Sequence, residues 1–252
     1  MSSTIALDIL MENLDYEIQE IKSFISQQKA KDEAYFRALS KIVTKLQRQS
    51  IAQLLGNAAV KTFFELQAES AKAQLVLNKN ATGEFARYAL GSVYQPAIGA
   101  RLSGNLQLAK DLANTASTDF NEDYEYEEDF TYGQFFYQLI NQGFKLDKSF
   151  EPFLKQLKDL DEAGTGQYAM IDAAINQDAD AYKEGFTQFL EEHEAYYAEL
   201  DGTLSVDKEK FTTEGAVNVE GLAWLRIGEA LGFSLKSSGP YLFLPEILVN
   251  KL

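Results

Sequence analysis

Apolar residues recur at intervals of three and four positions over most of this chain, and this spacing limits the folds that it can adopt. It puts the apolar side chains on one face of a helix, which has 3.6 residues per turn. The clearest run lies near the N-terminus and consists of Leu7, Leu10, Leu14, Ile18, Ile21 and Ile25. Sustained alternation of apolar and polar residues, the pattern of a half-buried strand, is absent from the sequence. The chain is therefore predicted to be all-α, without a significant β-sheet.

Capping and breaking residues predict where the first helices begin and end. A second helix begins near Asp32, and Ser50 is placed as the N-cap of a third. A fourth begins near Thr82 and stops before Pro96, because proline has no N–H and disfavours helix in the residue before it. The segment from Pro96 to Thr115 is expected to form a helical hairpin.

The second half is predicted to be helical as well. Helices are expected over about 131–142, 149–163, 166–175, 178–200 and 219–231, with an irregular stretch over 201–213. Gly232 is a natural C-terminal cap for the last of these helices. The apolar tail over 239–248 is expected to dock against the body of the protein.

A weak internal repeat connects the two halves. Residues 98–102, Ile-Gly-Ala-Arg-Leu, parallel residues 171–175, Ile-Asp-Ala-Ala-Ile, 73 positions later. The pair Lys110-Asp111 parallels Lys183-Glu184 at the same separation. The pattern predicts stacked antiparallel helix hairpins, in a solenoid-like array or an irregular helical bundle. Two copies are few, so coincidence between amphipathic hairpins is the alternative.

Negative charge is concentrated in the second half of the chain. Residues 1–118 carry 13 Lys and Arg against 11 Asp and Glu, whereas residues 119–252 carry 10 against 27. At 252 residues, the chain can form a single domain over 1–252 or two packed halves divided at this point, 1–118 and 119–252. An acidic field repels nucleic acid and anionic lipid and favours a basic partner. The alternative is that the charge only maintains solubility.

The sequence also predicts where the protein resides. The apolar residues near the N-terminus are interrupted by Asp8, Glu12 and Asp15, which is unlike a secretory signal. No window approaches 18 uninterrupted apolar residues, so no membrane span is expected. Cytoplasmic residence is the expectation that follows.

Catalytic patterns are sparse in this chain. It has no cysteine, and His193 is its only histidine. A helical Glu-x-x-His metal motif would need a carboxylate at position 190, where Leu190 stands. We expect His193 to be solvated, with its protonated form favoured by neighbouring carboxylates. The glycines form no phosphate-binding motif, and no acidic run has the spacing of an EF-hand. We therefore expect a protein that binds a partner, without enzymatic activity, metal or cofactor.

One acidic and aromatic segment is the candidate binding surface. No Lys or Arg occurs from Leu112 to Phe144, and self-repulsion should hold residues 119–129 open or loosely helical. Carboxylates can steer a basic partner, and tyrosines can then anchor it. The alternative is that the aromatic rings face the core while the acids face water. The candidate partner-binding residues are Asp119, Glu122, Asp123, Tyr124, Glu125, Tyr126, Glu127, Glu128 and Asp129.

Four features follow one another in the second half of the chain: the hairpin over 170–178, the helix through Phe186, Phe189, Leu190 and His193, the segment 217–227 with Leu231-Gly232-Phe233, and the tail Tyr241-Leu242-Phe243-Leu244-Pro245. Their order, over roughly residues 95–252, resembles the immunity protein 49 family of bacterial polymorphic-toxin systems. The resemblance implies an all-helical protein that binds and inactivates a cognate toxin, commonly in contact-dependent or type VI secretion settings. It implies no active site.

Two functions are therefore expected, and both are binding functions. The first is a cytoplasmic immunity protein that occludes a toxin, which its charge would suit to a basic nuclease. The alternative is a helical-repeat adaptor that binds an ordinary cellular protein.

Overall fold

The computed structural model describes residues 4–203 and 206–252, and in these ranges the protein is all-α with no strand. This confirms the predicted fold class. The α-helices of the described residues are α1 (Leu7–Gln27), α2 (Glu33–Asn57), α3 (Val60–Asn80), α4 (Gln95–Leu102), α5 (Leu106–Thr115), α6 (Glu127–Asn141), α7 (Glu151–Asp159), α8 (Gly166–Ile175), α9 (Ala179–Leu200), α10 (Lys208–Thr213), α11 (Val219–Ala230) and α12 (Glu246–Val249). Short 3-10 helices cover Gly83–Tyr88, Lys148–Phe150, Glu162–Gly164 and Leu235–Ser238.

The first two helices form an antiparallel hairpin. The predicted apolar stripe of α1 faces α2, with Leu10 packed against Ala52 and Ile18 packed against Ile42. Since the residue numbers rise along α1 while those of its partners fall along α2, the two helices run in opposite directions. Helix α3 follows α2 after only two residues and packs against it.

The prediction that Ser50 caps a third helix was wrong. Helix α2 continues through Ser50 to Asn57 and ends at Ala58, which has a left-handed φ of 51°. The Ser50 hydroxyl donates to the Gln47 carbonyl at 2.6 Å and accepts from the Gln67 amide at 2.8 Å. It is thus satisfied inside the helix and has no capping role. The expected fourth helix is the 3-10 turn Gly83–Tyr88.

The two hairpins of the internal repeat share their turn geometry. Gly104, between α4 and α5, has a φ of 80°, and Gln177, between α8 and α9, has a φ of 57°. The next residue caps the second helix in each hairpin: Asn105 accepts from the backbone of α5, and Asp178 accepts from the backbone of α9. The correspondence between the two hairpins, at a separation of 73 residues, therefore includes their turns.

Aromatic side chains from α6 and α11 form the centre of the largest core. Trp224 is fully buried, and its ring centroid lies 5.7 Å from that of Phe135 and 5.2 Å from that of Phe136. Tyr94, just before α4, stacks on Phe136 at 4.8 Å. This core includes side chains from both sides of residue 118, among them Ile98.

Ion pairs connect α2 to the segment around α10. The side chains of Lys45 and Arg48 are only 11% exposed. Arg48 lies 2.9 Å from Glu214 through Nε and 2.9 Å from Asp207 through Nη1, while Lys45 Nζ lies 2.6 Å from Glu209. We call these five residues the ion-pair seam. Part of the acidic excess of the second half is therefore used inside the protein.

Helix α10 lies where an irregular stretch was expected. Asp207 caps it by accepting from the backbone N–H groups of Glu209 and Lys210. A helix of six residues is too short to show an apolar period in the sequence. Leu204 and Ser205 of the expected stretch lie outside the described residues.

The C-terminal tail docks as expected. Leu244 and Leu248 are buried, and the backbone N–H of Asn218 donates to the Phe243 carbonyl at 3.0 Å. Gly232 directly follows the C-cap of α11 with a φ of 84°. Among the described residues, no helix is both long and apolar enough to cross a lipid bilayer.

Candidate partner-binding site

The acidic candidate segment forms an open loop and the first turn of α6. Helix α6 begins at Glu127, earlier than the expected position near 131. Glu127, Glu128 and Asp129 fill its first turn, where unpaired backbone N–H groups and the helix dipole favour negative charge. The remaining six candidate residues lie in the preceding loop. Within this segment only residues 127–129 are helical, because the N-terminus of α6 stabilises their negative charges against mutual repulsion.

The two candidate tyrosines are exposed. Tyr126 is 74% exposed and Tyr124 is 55% exposed. Tyr132, one turn further along α6, is instead buried, and its hydroxyl lies 3.1 Å from that of Thr165. Some aromatic rings of this region therefore face the core, as Tyr132 does, and others face solvent. Tyr124 and Tyr126 remain available to contact a partner.

Glu125 differs from the other eight candidates because it is engaged inside the protein. Its carboxylate accepts a hydrogen bond from the Ser92 backbone N–H at 2.9 Å and another from the Asn121 backbone N–H at 3.1 Å. These bonds tie the loop to the segment before α4. Glu125 therefore holds the loop in place, while its neighbours face solvent.

Further carboxylates, which were not among the candidate residues, extend this region. Partial desolvation, then the charges of Glu128 and Glu125, raise the pKa of Asp129. Desolvation, then the charges of Glu128, Asp129 and Glu192, raise the pKa of Glu162. Hydrogen bonds bring these elements together: the Tyr132 hydroxyl of α6 lies 3.1 Å from that of Thr165, and the Glu192 carboxylate accepts from the Gly166 backbone N–H at 3.0 Å. We define the acidic surface as Asp119, Glu122, Asp123, Glu127, Glu128, Asp129, Glu162 and Glu192.

The acidic surface has no cationic partner among the residues that the structure describes. None of its carboxylates forms an ion pair in the described ranges 4–203 and 206–252. The carboxylates that do form ion pairs there are Glu17, Glu33, Glu65, Glu69, Asp207, Glu209 and Glu214. The eight carboxylates of this surface therefore have no intramolecular counter-ion within the described ranges.

A crevice adjoins the acidic surface at Glu192. It has a volume of about 280 Å³ and meets a second cavity of about 430 Å³, with which it shares a wall formed by His193, Asn218 and Glu220. The remaining residues that line the smaller cavity are Gln167, Phe189, Glu192 and Tyr196. A partner that covers the acidic surface could insert a side chain here.

Glu220 accepts three hydrogen bonds in this wall. Its carboxylate accepts from Gln167 Nε2 at 2.5 Å, Trp224 Nε1 at 3.0 Å and the Tyr94 hydroxyl at 2.9 Å. Removal from water raises the pKa of Glu220, and the three hydrogen bonds act in the opposite direction. Asp129 raises the pKa further, so Glu220 belongs electrostatically to the acidic surface.

His193 is not the solvated, readily protonated side chain that the sequence predicted. Its ring lies between those of Tyr197 and Phe243, at 4.8 and 4.9 Å, and its Nε2 is buried without a hydrogen-bond partner. Burial lowers the pKa of His193, and this effect exceeds that of backbone hydrogen bonds to Gly215 and Glu214. The expectation failed because the aromatic rings desolvate the imidazole, which favours its neutral form.

The chain matches no protein-family model, no curated protein and no solved structure. Its function must therefore be inferred from the site itself. Among the described residues, no three His, Cys, Asp or Glu side chains are grouped so that they could hold a metal ion. What the arrangement offers chemically is an unpaired acidic surface with two exposed tyrosines and an adjoining crevice.

Of the site residues that were not among the candidates, Glu220 could have been found from a local pattern in the sequence. Glu220 and Trp224 are four positions apart, which places the carboxylate and the indole N–H on one face of a helix. Glu162 and Glu192 had no comparable signal, because they reach the acidic surface from elements distant in the sequence.

Replacing Glu220 with glutamine should make stability less dependent on pH. The folded protein holds the Glu220 proton more tightly than the unfolded chain, whose pKa is about 4.3. Stability of the wild type is therefore lost as the pH rises from that value through the raised folded pKa. The glutamine can accept from Gln167 and Trp224 and donate to the Tyr94 hydroxyl, which can turn to accept.

The measurement is urea denaturation of both proteins from pH 4 upward. The stability of Glu220→Gln relative to the wild type should increase over this window and then level off. A relative stability that stays constant with pH would show that Glu220 ionises normally in the folded protein.

Proposed function

We propose that this chain is a cytoplasmic immunity protein that binds a cognate bacterial toxin and neutralises it by occlusion. The observation that carries the proposal is the acidic surface, whose carboxylates lack cationic partners in the described part of the chain. Repulsion among Asp129, Glu162 and their neighbours is a cost that a basic partner would remove.

The same surface supports a division of roles in binding. The carboxylates raise the rate of encounter with a basic partner, in a salt-dependent way. Tyr124 and Tyr126 then supply large apolar contacts at a low cost in side-chain entropy. A stable interface covers about 800 Å² of each partner, so the partner extends well beyond these two rings.

A toxin that acts on nucleic acid fits this surface best. Its active face must be basic to hold phosphates. An acidic protein that covers such a face competes directly with the substrate and needs no chemistry of its own. The resemblance of residues 95–252 to the immunity protein 49 family is consistent with this proposal.

Co-expression tests the proposed function directly. The product of the gene adjacent to this one is expressed in a susceptible bacterium, with and without this chain, and growth is measured. We expect toxicity that this chain relieves, followed by co-purification of the two proteins. Toxicity without relief, or the absence of toxicity, would contradict the proposal.

Charge reversal on the acidic surface should slow association with the toxin. Asp119, Glu122 and Asp123 are exposed, and changing all three to lysine should lower the association rate constant by about tenfold or more at low salt. The salt dependence of that constant should flatten as well. Surface plasmon resonance over a series of sodium chloride concentrations measures both effects.

A matched variant controls for net charge. Asp8, Glu12 and Glu84 are also exposed, and reversing them gives the same total charge outside the acidic surface. We expect this variant to associate almost as fast as the wild type. Equal slowing by both variants would mean that only net charge matters and would remove the acidic surface from the proposal.

A helical-repeat adaptor is the second candidate, and the paired hairpins favour it. Gly104 and Gln177 give the two turns the same left-handed backbone at the same offset. Repeated helix hairpins are a common scaffold for recognising an extended protein segment. Failure of the co-expression test, with capture of a host protein through the acidic surface, would support this candidate instead.

A further inference from the structure

Two arginines of this chain differ from the other three in their contacts. Arg37, Arg48 and Arg87 each bond to a carboxylate. Arg101 and Arg226 form no ion pair within residues 4–203 and 206–252, although the chain contains 38 acidic residues. These two guanidinium groups therefore have hydrogen-bonding capacity that no acid of the described chain uses.

The two arginines are neighbours near the C-terminal end of α4. Burial, followed by the positive charge of Arg226, lowers the pKa of Arg101. Arg101 is half-buried, and its guanidinium lies 4.7 Å from the centre of the Phe144 ring. The ring offsets part of the cost of desolvation. It does not supply hydrogen-bond acceptors for the two guanidinium forks.

A cationic cavity of about 620 Å³ lies at the C-terminal end of α4, where Arg226 reaches it from α11. Lys61, Arg226 and Lys251 line it, and among the described residues no Asp or Glu side chain does. Lys61 lies 3.5 Å from Glu65, but both side chains are largely exposed, so this pair neutralises little of the cavity. The chain as a whole carries a net charge of −15, so the positive charge of this cavity is a local exception.

The remaining wall of the cavity is mostly apolar. Val60, Phe64 and Leu102 contribute side chains from α3 and α4. Ser103 and Gly104 form the rim, and nothing lies within 4 Å of the position that a Cβ of Gly104 would occupy. The cavity thus offers charge and an apolar surface together, with an open entrance.

We propose that this cavity binds a small organic molecule that carries a phosphate group next to an apolar group. The guanidinium of Arg226 can bind phosphate oxygens bidentately, and Lys61 and Lys251 add two further cations to the cavity wall. The apolar part of the ligand packs against Phe64 and Leu102. This site is opposite in charge to the acidic surface and independent of the proposed toxin binding.

Isothermal titration calorimetry with phenyl phosphate and inorganic phosphate tests the proposal. Sodium chloride keeps the ionic strength constant, so that general charge screening is equal in all titrations. We expect saturable 1:1 binding of both probes, with tighter binding of phenyl phosphate because its ring covers the apolar wall. The absence of saturable heat with both probes, or no preference for phenyl phosphate, would overturn the proposal.

Substitutions locate the binding site. The double variant Arg226→Gln, Lys251→Gln should bind phenyl phosphate at least about tenfold more weakly, because both side chains line the cavity. The matched variant Arg37→Gln, which removes an exposed guanidinium elsewhere, should bind as the wild type does. If the double variant does not fold, Lys251→Gln replaces it, because that exposed side chain can be changed without disturbing the core. Unchanged affinity in the folded cavity variant would reject the site.

Discussion

Replacing Trp224 with alanine should lower the free energy of unfolding by about 4 kcal/mol. The indole is fully buried between Phe135 and Phe136, so its removal leaves a cavity lined by aromatic rings that cannot collapse into it. Its N–H also donates to Glu220, whose carboxylate would lose one of three donors. For a chain of this size, the expected fall in melting temperature is roughly 8–16 °C.

Phenylalanine at position 224 separates the two contributions of the indole. Trp224→Phe keeps an aromatic ring in the core but removes the hydrogen bond to Glu220. We expect it to cost less than half as much as Trp224→Ala when both are measured by urea denaturation at pH 7. Equal costs would mean that the hydrogen bond, and not the packing, is what Trp224 contributes.

Replacing Arg48 with methionine should lower the free energy of unfolding by about 3 kcal/mol. Methionine fills similar space without charge, and Glu214 and Asp207 would lose the guanidinium that lies 2.9 Å from each. The partial exposure of these two carboxylates keeps the expected cost at the lower end of the range for breaking a buried pair. Urea denaturation with an intrinsic tryptophan signal measures it, since Trp224 reports on the core.

An exposed arginine provides the matched control. Arg37 forms an ion pair with Glu33 one helical turn away, and its side chain is 73% exposed. Arg37→Met should leave stability nearly unchanged, because water replaces an exposed pair at little cost. If both arginine variants were equally stable, the ion-pair seam would not be holding α2 to α10.

The fold was predictable where local signals determine it. The bounds of α8 agree with the predicted range 166–175, since Thr165 caps its start and the turn at Gln177 follows its end. Ser50 misled the prediction because capping residues also occur inside helices. Its partner Gln67 is 17 residues away, and that contact is not visible in a local pattern.

The candidate site was predictable only in part, because some of its contacts join residues that are distant in the sequence. A run of acids without lysine or arginine identifies an exposed segment, and Tyr124 and Tyr126 are indeed exposed. The internal bonds of Glu125 depend on the backbone at Ser92, 33 residues earlier in the chain. The environment of His193 depends likewise on Phe243, 50 residues later. Whether the nine candidate residues bind a partner stays a prediction.

The ion-pair seam and the acidic surface give dissolved salt two opposite effects on one molecule. Mobile ions weaken the attraction of Arg48 for the half-exposed Asp207 more than the pairs that lie deeper in the seam, and so loosen the attachment of α2 at that edge. The same ions relieve the repulsion around Asp129 and Glu162, which tightens the region that is proposed to meet a partner. Global stability can therefore vary little with ionic strength while the local stabilities of these two regions shift in opposite directions. Hydrogen exchange resolved along the chain would display this redistribution, which a melting curve averages away.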